Sequence, residues 1–397
     1  MGKRMGTAAK VSTGVLLLGL VSFITDVSSE MILPLLPLFI VALGGSGIAV
    51  GLVSGVGDSV ADFLKIFSGY FSDRLGRRKP LVALGYFSSA FAKLFFPIAT
   101  IWEHVLALRV VERIGKGVRT APRDAMIAGY AAMEIRGKAF GVHRAMDTAG
   151  AVLGSIIAFL LLWFFALDFR QIFLAAALLA FLALLPLYFV KEVRSERRLE
   201  SSFALSLKSL PADLKALILI LMVFALGNIS YMFFILRARE VFEAAKLAEQ
   251  LSLSLPVLLY VLYNSVYATL AEPFGALSDR IGRANIMLGG FLLFSLMSLG
   301  FIFVGVRTLF ILFALYGLVY AMTEGVGRAF VSDLCSEQLR GTALGAYHTA
   351  TGFAAIAANL VAGVLWDVFG SEATFAYAAS LPLLAALLLF FWKKKRQ

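Results

Sequence analysis

Long apolar runs separated by short polar breaks fill the chain from about residue 15 to residue 392. They predict helices at about 15–43, 47–71, 81–100, 104–128, 139–165, 171–190, 215–240, 252–277, 285–305, 308–332, 341–367 and 372–392. Each run supplies the roughly 20 residues that a helix needs to cross a bilayer. The longest must tilt or extend past the hydrocarbon. The runs are unbroken and show no period of two, which favours helices over barrel strands. The predicted fold is all-α and membrane-integral, with twelve transmembrane helices.

Composition strengthens this reading. Hydrophobic residues make up 60% of the 397 and charged residues 15%, against roughly 25% charged in a soluble domain. Mean hydropathy is +0.88. Lipid is the solvent that suits such a surface. Twelve spans use roughly 240 residues, which leaves short loops and no sizeable soluble domain. The first span is too long for a cleaved signal peptide, and no small-residue cleavage site follows a short apolar core.

The +11 net charge is distributed unevenly. One set of loops holds Lys3, Arg4, Lys10, Arg74, Arg77, Arg78, Lys79, Arg136, Lys138, Lys191, Arg194, Arg197, Arg198, Lys208, Lys215, Arg280, Arg283, Arg340 and Lys393 to Arg396. The other set holds Arg170, Arg237, Arg239, Lys246 and Arg307. The positive-inside rule puts the basic set in the cytoplasm, with both termini. The charges read as topology and headgroup contact, not as a nucleic-acid surface. A lone Cys335 excludes an intrachain disulfide and a CxxC-type metal site.

The chain also repeats itself. Gly69-Tyr-Phe-Ser-Asp73-Arg74-Leu-Gly76-Arg77 recurs as Gly275-Ala-Leu-Ser-Asp279-Arg280-Ile-Gly282-Arg283. Arg136-Gly137-Lys-Ala-Phe-Gly141 recurs as Arg340-Gly341-Thr-Ala-Leu-Gly345, and Asp26-Val-Ser matches Asn228-Ile-Ser. Three matches in one order imply two pseudo-symmetric six-helix bundles, residues 1–190 and 215–397. A charged, Ser-containing cytoplasmic linker at 191–214 joins them. Parallel repeats of this kind put a binding site between the halves, near mid-membrane.

The segment Gly69-x-x-x-Asp73-Arg74-x-Gly76-Arg77-Arg78 lies between helices 2 and 3, where its glycines permit a tight turn. It resembles the signature loop motif of the major facilitator superfamily, with a degenerate copy in the second half. The resemblance extends over helix number, topology, linker and both motif positions. It implies a transporter fold. It also implies a conformational latch at Gly69, Asp73, Arg74, Gly76 and Arg77, and at Gly275, Asp279, Arg280, Gly282 and Arg283. Asp73 is expected to pair with an Arg or with a helix N-terminus of the other half.

Charges inside the membrane are costly, about 2.5–3.5 kcal/mol each on insertion scales, and so mark candidate sites. Helix 4 carries Arg109, Glu112, Arg113, Lys116, Arg119 and Arg123 within an arc of roughly 120°. Such a stripe must face a cavity, a partner helix or water. Arg119, Arg123 and Asp124 can equally snorkel at the cytoplasmic end. Helix 1 carries Asp26 and Glu30, one turn apart. Counting depth from the helix ends pairs Asp26 with Arg113 and Glu30 with Arg109. Helix 5 adds His143, Arg144 and Asp147. His143 either relays protons near neutral pH or only hydrogen-bonds. A carboxylate balanced between burial and a nearby Arg can load and release a proton, as ion coupling requires. Proton coupling is therefore expected from Asp26, Glu30, Arg109, Glu112, Arg113, His143 and Asp147.

Two partial resemblances bear on direction. Arg109 and Gly115 match the family's Arg-containing helix-4 motif, linked to proton coupling, but Glu112 and Arg113 depart from it. Gly150-Ala-Val-Leu-Gly154-Ser155 is similar to a helix-5 motif of drug/proton antiporters, without its Pro; small-residue helix packing accounts for it equally.

Candidate substrate contacts are Lys116 and Arg144 in the first half. The second half offers Asn228, Tyr231, Tyr260, Tyr263, Asn264, Tyr267, Tyr316, Tyr320 and Glu324. Tyrosine joins an apolar body to a polar tip, which suits amphiphiles. Membrane-belt or packing roles compete with that reading. The excess of bases favours an anionic or zwitterionic amphiphile. The resulting expectation is a monomeric carrier in the plasma membrane that exports small amphiphilic compounds against protons. A proton-coupled importer of an organic anion, a lipid-moving facilitator and a non-transporting receptor are the alternatives. The histidines His104, His143 and His348, with no P-loop and no metal-ligand cluster, predict no enzyme, metal or cofactor.

Overall fold

The computed structural model describes residues 12–193, 210–336 and 339–396. Lys3, Arg4 and Lys10, and the linker positions Arg194, Arg197, Arg198 and Lys208, lie outside the described residues. Twelve helical spans, α1–α12, match the predicted ones closely. The first six are α1 (Thr13–Ile32, continued by Leu36–Ala42), α2 (Gly47–Leu75), α3 (Lys79–Phe95), α4 (Trp102–Tyr130), α5 (Arg136–Trp163) and α6 (Phe169–Phe189). The second six are α7 (Ala212–Gly227, continued by Tyr231–Ala244), α8 (Glu249–Ile281), α9 (Arg283–Ile302), α10 (Val306–Asp333), α11 (Arg340–Phe369) and α12 (Ser371–Arg396). All but α4 are apolar enough to read as membrane spans. The 29 residues of α4 are long enough, but the charge stripe removes its apolar character.

The first span of each half is broken. α1 stops at Ile32 and restarts at Leu36, around Pro34. α7 stops at Gly227 and restarts at Tyr231 without any proline. Its second segment is capped by Ser230 Oγ, which accepts from Met232 N, while Ser230 N donates to Asn359 Oδ1 on α11. Pro122, Pro256 and Pro273 sit inside continuous helices.

The motif glycines take the expected role. Gly76 ends α2 at φ +64°, and Gly282 ends α8 at φ +94°. Both lie in the region that favours glycine.

Within the first bundle, α1 packs along α5 and α6, and α4 packs against α2 and α3. Gly150 and Gly154 of α5 bring that helix onto α1. A Cβ at Gly154 would stand 2.3 Å from the Val27 carbonyl oxygen. The halves meet along α2 with α11, α5 with α8, and the second segments of α1 and α7. The α2–α11 seam is the tightest. Gly47, Gly51 and Gly55 recur every four residues on α2, facing Asn359 and Gly363 of α11. A Cβ at Gly51 would lie 2.2 Å from the Asn359 carbonyl oxygen. Small residues let helix backbones approach this closely in a membrane.

Several hydrogen bonds join the halves at mid-depth or on the face away from the basic loops. Gly47 N and Ile48 N donate to Asp367 at 2.6 and 2.9 Å. Tyr231 Oη donates to Leu33 O, and Gln250 Nε2 to Trp163 O. Ser59 Oγ donates to Gly352 O, and Tyr260 Oη to Glu30 Oε2. These contacts seal the halves opposite the basic face.

Candidate functional site: a charged cavity between the halves

A cavity of about 390 Å³ lies between the halves below the seal. Asp26 and Glu30 reach it from α1, Lys116 from α4, and Arg144 and Asp147 from α5. Asn264, Tyr267 and Glu324 reach it from the second half. A charge cannot face lipid cheaply, so these helices turn their charged faces inward.

The acids are held differently. Glu30 Oε2 accepts from Tyr260 Oη at 2.9 Å, across the halves. Asp147 Oδ2 lies 3.5 Å from His143 Nδ1, and His143 Nε2 lies 3.0 Å from Ser22 Oγ. Ser22 also meets Tyr86 Oη at 2.8 Å and accepts from Arg123 at 3.1 Å. The chain Asp147–His143–Ser22 thus ties the cavity wall of α5 to α1 and α4. His143 itself is buried behind the wall.

Both predicted pairs of α1 with α4 are corrected. Neither Asp26–Arg113 nor Glu30–Arg109 forms an ion pair, because α1 leans on α5 and α6 while α4 belongs with α2 and α3. Glu30 takes the Tyr260 hydroxyl. Arg109 pairs with Glu112 on its own helix at 2.5 Å, and both are buried inside the bundle away from the cavity. Arg109 and Arg113 pack over Gly57 of α2. Snorkelling of Arg119 and Arg123 is also corrected. Arg119 is buried, lies 4.4 Å from the Tyr86 ring centre and donates to Ser89 Oγ at 2.7 Å. Arg123 bends back to Ser22 and Asp124. A cation over an aromatic face and beside hydroxyls is better placed than one stretched through lipid.

Four candidate tyrosines pack on one another and do not line the cavity. Tyr231 and Tyr260 lie 5.0 Å apart, and Tyr260 and Tyr263 5.6 Å. Tyr263 stacks on Tyr316 at 4.6 Å, and Tyr316 on Phe234 at 4.4 Å. These rings spend their faces on one another. Tyr267 instead borders the cavity and donates to Glu324 Oε2 at 2.8 Å, while Arg328 holds Oε1 at 3.1 Å. Asn228 and Tyr320 border a second, smaller cavity that also reaches Glu324.

The described contacts of the latch residues stay within their own halves. Gly69 faces Ala121 of α4. The side chain of Asp73 lies outside the described residues. Arg74 and Arg77 are exposed. Beside them, Arg78 N donates to Glu192, and its guanidinium donates to Ala125 O. In the second copy, Arg283 pairs with Asp279 at 2.9 Å and with Asp333, Gly275 faces open space, and Arg280 is exposed.

Lys93 was missed by sequence reasoning. It is fully buried in α3, with Nζ on Ser28 Oγ at 2.9 Å and Ser29 Oγ at 2.8 Å. A lysine alone in an apolar run was the available signal. Asp62 of α2 was missed too. It borders the second cavity and pairs with Lys65 at 2.6 Å.

The sequence profile described as Major Facilitator Superfamily matches residues 18–245 and 241–397. An uncharacterised MFS-type transporter of Methanocaldococcus jannaschii is 44% identical over 383 residues, covering 96% of this chain and 95% of that protein. The multidrug resistance protein MdtH of Edwardsiella ictaluri is 28% identical over 175 residues, covering 42% of each chain. A crystallised variant of the nucleoside transporter NupG shares the fold with a TM-score of 0.82 at 16% identity, covering 97% of this chain and 100% of that one. The twelve-span architecture, the repeated loop motif and these matches together make the chain a member of the major facilitator superfamily, a multi-pass membrane transporter and not an enzyme.

Proposed function

We propose that the protein is a proton-coupled antiporter that exports small amphiphilic organic compounds by alternating access. The Glu30–Tyr260 hydrogen bond carries this reading. The carboxylate of Glu30 borders the cavity and also takes part in the seal. Adding or removing its proton therefore changes the contact that joins the halves. Asp26 and Asp147 border the same cavity and supply further proton-binding groups. Glu112, Arg109 and Arg113 support the bundle that carries them. Export, rather than uptake, is supported by the partial match to a multidrug resistance protein.

In this reading the basic face and both termini are cytoplasmic, in the plasma membrane, and the cavity is open to the cytoplasm. Substrate enters beside Lys116, Arg144, Asn264 and Tyr267. The halves then rock about the α2–α11 and α5–α8 contacts, opening the opposite face. The latch motifs close across the cytoplasmic side in that second state. The transporter acts as a monomer.

Two other readings have specific support. The basic groups Lys116, Arg123, Arg144 and Arg328 at the cavity suit uptake of an organic anion. A groove along α5 and α8 shares Arg144, Thr148 and Ala268 with the cavity and suits a lipid mover. Liposomes containing the protein, its Asp26→Asn variant or its Glu30→Gln variant separate the three. Antiport requires flux of an amphiphile opposite to an imposed pH gradient and its collapse in both variants. Flux with the gradient indicates uptake. Lipid movement without any gradient supports the third reading.

A further inference from the structure

The second cavity, of about 200 Å³, lies between α2, α7, α9, α10 and α11 and meets the central one at Glu324. Its polar wall is weighted towards acceptors. Ser59 Oγ donates to Gly352 O at 2.7 Å, Thr323 Oγ1 to Val319 O at 2.8 Å, and Thr351 Oγ1 to Tyr347 O at 2.9 Å. Each hydroxyl has one proton and has used it on a backbone carbonyl, so each shows the cavity only lone pairs. Asn228, at the break in α7, has a buried side-chain oxygen without a hydrogen-bond partner. Asp62 has Oδ1 on Lys65, and its carboxylate borders the same space. The Tyr347 hydroxyl can either give or accept.

A buried acceptor without a donor is unfavourable, so this wall favours a ligand that brings N–H groups. The remaining surface is aromatic. Phe224 and Phe291 stack at 4.2 Å, and Tyr320 and Tyr347 stand beside them. Aromatic faces attract cations and accommodate flat apolar groups.

We propose that this cavity binds a protonated primary or secondary amine on a ring-sized apolar body, with Asn228, Thr351 and Asp62 receiving its N–H groups. The proposal rests on the substrate role of the central cavity and refines it: the transported amphiphile carries an amine at its α7–α11 end. Lys116 and Arg144 then face its anionic or neutral end.

Calorimetric titration of the full-length protein in nanodiscs with 4-phenylbutylamine, 4-phenylbutanol and 4-phenylbutyrate tests it. No gradient is involved, so failure of the antiport reading leaves this result interpretable. The amine should bind about tenfold more tightly than the alcohol or the acid, as a charged hydrogen-bonded group allows. Asn228→Leu and Asp62→Asn should each weaken the amine by about fivefold or more and leave the alcohol within about twofold. Thr351→Val keeps the side-chain shape, guards against a folding defect at the α7 break, and should weaken the amine in the same sense. Amine binding no tighter than alcohol binding, or absent at millimolar concentration, overturns the proposal. So does amine binding that ignores all three variants but falls in Asp26→Asn, which places the amine in the central cavity.

Discussion

The carboxylate of Asp367, at the end of α11, caps α2 at Gly47: Oδ1 accepts from Gly47 N at 2.6 Å, and Oδ2 accepts from Ile48 N at 2.9 Å. A helix start leaves its first N–H groups without partners, and a carboxylate there also meets the positive end of the helix dipole. Here the cap and the helix belong to different halves. Asp367→Ala should weaken the sealed state by about 0.5–2 kcal/mol, the usual cost of losing a cap. Spin-label distances across the opposite face should then show a larger open fraction, with unchanged helix content.

Gly51 tests the same seam from the other helix. A leucine there places atoms where the Asn359 carbonyl now sits, and a backbone cannot yield as a flexible side chain does. Gly51→Leu should abolish sealing of the opposite face and stop transport. A cysteine introduced at Leu36, with Cys335 replaced, should become reactive to an impermeant reagent only in the Gly51→Leu background. Equal reactivity in both backgrounds counts against the seam as the closing contact.

Glu30 separates hydrogen bonding from proton exchange. Glu30→Gln keeps an acceptor for the Tyr260 hydroxyl but cannot titrate. Gradient-driven flux should fall by about tenfold or more, as expected for a lost coupling group, while binding persists. Tyr260→Phe leaves the acid and removes the cross-half bond. It should retain a response to the gradient but show a leakier opposite face in the spin-label assay.

The buried Arg109–Glu112 pair predicts a stability effect. Arg109→Met leaves the Glu112 carboxylate deep in the bundle without its adjacent cation. Removing one partner of a buried pair costs about 3–5 kcal/mol. The unfolding temperature in detergent should drop sharply in Arg109→Met. Replacing both residues by methionine should recover much of the loss. Transport by that double variant would assign the pair to the scaffold and not to coupling.

The spans, the repeat and the motif turns at Gly76 and Gly282 were legible because each depends on local pattern. Asp26, Lys116, Arg144 and Asp147 were legible as cavity groups because lipid excludes charge. Partner choice was not legible. Depth along two helices was read as contact, yet α1 meets α4 around Ser22 and Arg123 and not at Asp26 or Glu30, so Glu30 met Tyr260 230 residues away. The break in α7 was hidden by its apolar flanks, although Gly227, Asn228 and Ser230 together form a turn-like composition. Asp367 carried no signal, since its partner is a helix start more than 300 residues earlier.

The ion pairs at Lys65, Arg109, Arg123, His143, Arg237, Arg239, Arg283 and Arg328 each lie within one half. The sealed contact between the halves consists of glycine-lined backbone approach, aromatic packing and hydrogen bonds. Dissolved salt screens separated charges over about 8–10 Å at physiological strength but leaves close packing nearly untouched. The balance between the sealed state and its counterpart should therefore respond to ionic strength chiefly through the Asp367 carboxylate at the start of α2. A carrier built this way confines the influence of salt on its switching to one capped helix end, and leaves its response to protons to the few acids that border the cavity.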